Sequence, residues 1–103
     1  MVRELTPTDN LDELLKDKLV VIDFFAEWCP PCKMIGPIFV ELAEKHKEIT
    51  FFKANTGTVQ QFASKFGVKS IPTFIFFKNG AEVDRLVGAN KADLEKKIEA
   101  LKK

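Results

Sequence analysis

The chain has 103 residues, 46% of them hydrophobic and ten of them Phe, so it is long and apolar enough to bury a core, and disorder is excluded. Sixteen basic and fifteen acidic side chains leave a net charge of +1 with no basic block, which removes the electrostatic case for a nucleic-acid or membrane partner. No apolar run reaches the length of a membrane span and residues 1–10 lack an apolar signal region, so one cytoplasmic domain over 1–103 is expected.

Val2 to Leu5 is a weak strand candidate. Thr8 or Asp9 is placed to cap a short helix with Leu11, Leu14 and Leu15 on one face. Lys18 to Ala26 is the strongest strand pattern; its near-continuous apolar run suits a strand buried on both faces of a parallel sheet. Glu27 to Pro31 turns the chain into a helix whose stripe holds Ile35, Ile38, Phe39 and Leu42. Pro37 sits inside that helix and predicts a kink near Gly36-Pro37. His46 reads as a surface residue at the helix end. Ile49 to Ala54 is the next strand, and Val59, Phe62, Ala63 and Phe66 follow helical spacing up to a stop at Gly67. Thr73 to Lys78 and Glu82 to Val87 read as strands joined by an Asn79-Gly80 hairpin turn. Asn90 is placed to cap a last helix with Leu94, Ile98 and Leu101 inward. The order is βαβαβαββα, and a core of Phe24, Phe39, Phe51, Phe62, Phe66, Phe74 and Phe76 is expected.

The only cysteines, Cys29 and Cys32, fall where the strongest strand gives way to a helix. Backbone N–H groups at a helix start have no partner inside the helix, and the helix dipole is positive there. Both effects favour a thiolate, the dipole by about 0.3–2 kcal/mol, or roughly 0.2–1.5 pKa units. Two thiols at this spacing can close into a disulfide, so the pattern points to dithiol–disulfide exchange, with Cys29 attacking as an exposed nucleophile and Cys32 resolving. A purely structural disulfide would close a loop too short to restrain the unfolded chain much. Metal binding lacks further ligands, since His46 is the only histidine. Asp23 stands among Val21, Ile22, Phe24 and Phe25, where desolvation should raise its pKa.

Five segments carry a resemblance to the thioredoxin family. They are Val-Ile-Asp-Phe at 21–24, Trp-Cys-Pro-Pro-Cys-Lys-Met-Ile at 28–35 followed by Pro37, Lys53, Ser-Ile-Pro-Thr-Phe at 70–74, and Phe-Lys-Asn-Gly at 77–80 with Val-Gly-Ala at 87–89. The resemblance implies an α/β thioredoxin fold, a five-stranded mixed sheet in order 1-3-2-4-5 flanked by four helices. It implies a protein-disulfide reductase serving redox homeostasis, with Cys29–Cys32 as the redox disulfide, Asp23 as a proton carrier and Lys53 as the charge partner of Asp23. Trp28, Pro30, Pro31, Ile71, Pro72, Val87, Gly88 and Ala89 would form the apolar substrate-binding surface, with Pro72 as a cis-proline that leaves the Ile71 backbone free for a target strand. No bound cofactor or metal is implied; electrons would come from NADPH through a separate thioredoxin reductase. The partners would be that reductase and disulfide-containing proteins, and the chain would be a monomer. A disulfide oxidase or isomerase, or a non-catalytic binding module on the same fold, are the alternatives.

Two departures from the family pattern stand out. Pro30 replaces the usual Gly, and neither Pro30 nor Pro31 has a backbone N–H to offer. Asn55-Thr56-Gly57-Thr58 replaces a commonly acidic surface loop, which bears on partner choice more than on chemistry.

Overall fold

The computed structural model of the chain describes residues 1–103. Its elements are β1 (Val2–Glu4), α1 (Leu11–Leu14), β2 (Leu19–Phe25), α2 (Pro30–Lys45), β3 (Thr50–Asn55), α3 (Gln60–Lys65), β4 (Thr73–Lys78), β5 (Ala81–Val87) and α4 (Lys91–Leu101). The strands form one sheet in the order β1-β3-β2-β4-β5. β3 runs parallel to both β1 and β2, while β4 is antiparallel to β2 and β5. This is the sheet order and helix count that the resemblance implies.

The unbroken apolar run of β2 is explained by its place in the middle of the sheet. Alternate residues serve opposite layers. Leu19 and Val21 join Phe51, Phe74 and Phe76 against Ile35, Phe39 and Leu42 of α2 and Leu94, Ile98 and Leu101 of α4. Val20, Ile22 and Phe24 join Phe52, Ile75 and Phe77 against Leu11, Leu15, Phe62 and Ala63. Phe39 makes an edge-to-face contact with Phe51 at 5.2 Å. Phe66, expected in the core, is only half-buried; it sits over Phe24 and Phe77 at the rim of the second layer.

Local chemistry sets the element ends. Asn79 (φ 52°) and Gly80 (φ 84°) both occupy the left-handed region, as the hairpin turn requires. Past that turn the β4–β5 register shifts between Phe76 and Phe77, which pair with Asp84 and Glu82. Beyond the α3 C-cap Phe66 the chain turns at Gly67 (φ 64°), where Gly67 N–H donates to Ser64 O and Val68 N–H to Ala63 O. Asn90 caps α4 through Asp93 N–H at 2.9 Å. α2 runs through Pro37 for 16 residues.

Two expectations are corrected. α1 is capped by Asn10, whose Oδ1 accepts from Glu13 N–H at 3.2 Å, and not by Thr8 or Asp9. Asp9 is engaged elsewhere, bonded to Thr6 N–H and Arg3, and these partners hold its carboxyl below the usual range. His46 is buried, not a surface residue. It is the C-cap of α2, and α4 brings Lys102 Nζ within 3.1 Å of its Nδ1 and Glu99 within 3.7 Å of its Nε2.

Candidate active site

Cys29 is the N-cap of α2, with Pro30 and Pro31 as the first two helical residues. Proline suits that first turn, because the missing N–H would have no helical partner there. The prolines also strip the helix head of two donors. The remaining one is used: Cys32 N–H donates to Cys29 Sγ at 3.2 Å. A disulfide joins Cys29 to Cys32, with Cα atoms 5.2 Å apart. The expected exposed nucleophile is not seen in this form. Cys29 is 3% exposed, because its sulfur is bonded to Cys32 and packed with Ala26 and Ile71.

Asp23 shares its side of β2 with Leu19 and Val21, which face α2. It is buried, and its Oδ1 has no hydrogen-bond partner. Burial pushes its pKa up to about 7, and the nearby Lys53 ammonium offsets part of that rise. Asp23 and Cys32 line one open cleft of about 380 Å³, together with Phe25, Glu27, Lys33, Phe39 and Lys53. Lys53 is the register partner of Asp23 across β2 and β3. Its ammonium lies 3.9 Å from Glu4 Oε1 and 5.9 Å from the centre of the Phe25 ring.

Beside the disulfide, Trp28 is 77% exposed, Pro30 and Pro31 are exposed, and Ile71 is half-buried. The Ile71–Pro72 bond is cis. Pro72 O accepts from Gly88 N–H at 2.9 Å, which ties the segment before β4 to the end of β5. Gly88 has φ 106°, a conformation that favours glycine. Val87 is 59% exposed, whereas Ala89 is drawn partly into the α2–α4 layer.

The 55–58 loop is not wholly a surface feature. Asn55 is 8% exposed and holds the loop from within. Its Oδ1 accepts from Gly57 N–H at 2.9 Å, and its Nδ2 donates to Glu27 Oε1 at 3.2 Å. The signal was present in sequence as an Asn two residues before a Gly, the pattern of an Asx-turn. Glu27 carried no sequence signal of its own.

No three His, Cys, Asp or Glu side chains gather to hold a metal ion. No helix is long and apolar enough to cross a membrane. Residues 1–100 match the family model described as Thioredoxin. Thioredoxin H4 of Arabidopsis thaliana is 55% identical over 83 residues, 80% of this chain and 70% of that protein. Thioredoxin-2 of Saccharomyces cerevisiae is 46% identical over 100 residues, 95% of this chain and 96% of that one. The X-ray structure of Fasciola hepatica thioredoxin superposes with a TM-score of 0.91 at 39% identity, covering 96% of this chain and 98% of that one.

Proposed function

Because the chain belongs to the thioredoxin family and is a thiol–disulfide oxidoreductase, we propose that it reduces protein disulfides through Cys29 as nucleophile and Cys32 as resolving thiol. The observation that carries the assignment of roles is the cap geometry. Cys29 Sγ stands at the head of α2 and accepts the Cys32 N–H, an arrangement that favours negative charge on that sulfur once the disulfide opens.

The reduced Cys29 thiolate attacks one sulfur of a target disulfide. The target's other sulfur leaves as a thiolate, and a Cys29–target disulfide forms. The carboxylate of Asp23 takes the proton of the Cys32 thiol across their shared cleft. The Cys32 thiolate then attacks Cys29 Sγ and expels the second target thiolate. Two electrons have passed to the target, and Cys29–Cys32 is oxidised. Its pKa of about 7 suits Asp23 to accept and return a proton near neutral pH. Lys53, across the ladder, lowers the cost of its charged form.

In this reading residues 1–103 are one domain acting as a cytoplasmic monomer. NADPH supplies electrons through a separate thioredoxin reductase, and disulfide-containing proteins are the targets. Trp28, Pro30, Pro31, Ile71, Pro72, Val87, Gly88 and Ala89 form the docking surface, and no nucleic acid or membrane takes part. The test is trapping: Cys32→Ser should hold targets as mixed disulfides at residue 29, and Cys29→Ser should hold none. Equal trapping by both variants would overturn the assignment.

A further inference from the structure

Two turns flank the Trp28 side chain, and one buried amide joins them. The first turn, Ala26 to Cys29, carries Glu27 and Trp28 toward the disulfide; the second is the 55–58 loop. Between them lies a shallow groove of about 240 Å³ whose walls include Trp28 and Gly57. Asn55 Nδ2 crosses it to Glu27 Oε1 at 3.2 Å. The same side chain grips its own loop through Gly57 N–H, and a Cβ on Gly57 would stand 3.3 Å from Asn55 Oδ1. The backbone repeats the link, since Thr56 N–H donates to Phe25 O at 2.8 Å. Trp28 itself is 77% exposed and belongs to none of the aromatic pairs in the chain. The turn that carries it is closed by Cys29 N–H to Ala26 O at 3.3 Å, and its side-chain tie to the neighbouring loop runs through Glu27.

We propose that Asn55 is a positioning residue that, through Glu27, holds the Trp28 turn in the pose that receives a target protein. This rests on the reading that targets dock beside Trp28 and Cys29. The Asn55–Glu27 bond lies outside the path of electrons and protons between Asp23, Cys32 and Cys29. Its loss weakens target docking and leaves the exchange chemistry as it is.

Asn55→Asp removes the donor, keeps the oxygen that Gly57 needs, and sets a carboxylate against Glu27. The expected result is a rise of about 3- to 10-fold in KM for a protein disulfide substrate, the equivalent of one net hydrogen bond. The kcat and the reduction potential stay the same. Glu27→Ala, at an exposed site where folding is not at risk, should raise KM by a similar factor, while unchanged kcat and potential are required of Asn55→Asp, because Glu27 also lines the Asp23 cleft. The double variant N55D/E27Q restores the bond with donor and acceptor exchanged, and KM should return toward the starting value. An unchanged KM in both single variants, a parallel fall in kcat of Asn55→Asp, or a double variant worse than either single one would overturn the proposal while the parent chain still turns over. No saturable turnover by the parent chain would instead overturn the docking reading beneath it.

Discussion

Asp23 and Lys53 are register partners across β2 and β3, yet the Lys53 ammonium sits 3.9 Å from Glu4 Oε1 and Asp23 Oδ1 is left without a hydrogen bond. Attraction acts through space on a carboxyl group that burial keeps largely protonated below neutrality. The pKa of about 7 is the balance of these two effects, with desolvation the larger.

The pH dependence of stability follows from that pKa. In the unfolded chain Asp23 titrates near 3.8, and in the native chain near 7, so the folded state holds the proton more tightly. This group therefore supports folding at low pH, and its contribution becomes a penalty as pH rises from about 4 to about 7. The penalty at pH 8 is on the order of 4 kcal/mol. Asp23→Asn should gain stability over the parent as pH is raised from 4 to 8, read from urea unfolding of the oxidised chain. Its resolution step should also lose the ionisation near pH 7. An equal stability difference at the two pH values would contradict the assignment.

The helix head makes a second prediction. Pro31 is the second residue of α2, and it has no N–H to aim at Cys29 Sγ. Pro31→Ala supplies one. A donor stabilises a thiolate more than a disulfide sulfur, so the reduced form gains. The reduction potential should rise by about 10–30 mV, the worth of one net hydrogen bond in a two-electron couple. Equilibration against glutathione buffers reads this directly; a fall would show that loop stiffness outweighs the added donor.

His46 joins the far end of α2 to α4. Its ring is buried against Lys102 and Glu99, and Lys102 continues to Glu48 at 3.3 Å. His46→Ala removes the packed ring and the acceptor for Lys102. A loss of about 1–3 kcal/mol is expected in denaturant unfolding, with disulfide-exchange activity retained. A stability change within about 0.5 kcal/mol would place His46 among ordinary surface positions after all.

The sheet was legible because its signals are strong and local. The apolar run at 19–25, the Asn79-Gly80 turn and the cap at Asn90 each have one good structural solution, and the structure adopts it. The cysteine pair and Asp23 were legible because a carboxylate in a core strand and an isolated Cys-x-x-Cys are both unusual. What escaped depends on contacts between distant segments. His46 follows Phe39 and Leu42 at helical spacing, but a lone polar ring at a helix end reads as solvent-facing until Lys102 and Glu99 cover it. Asn55 looks like a loop residue until Glu27, 28 residues earlier, supplies its partner. Asp9 satisfies the rule for a helix cap as well as Asn10 does, and only its engagement with Arg3 and Thr6 decides between them. The burial of Cys29 depends on packing against Ala26, Cys32 and Ile71, the last of them far along the chain, which no local residue pattern encodes.

β2 is bordered by a hydrogen-bonded strand on each side, β3 and β4, and Asp23 lies in its interior. Amide protons there cannot meet solvent through fraying of an edge, so their deuterium uptake reports opening of the sheet as a whole. The turns that carry Trp28 and Gly57 sit outside the ladder and should exchange independently of it. The residue proposed as proton carrier is thus expected to exchange with the slowest layer of the molecule, and the proposed contact surface with a faster one.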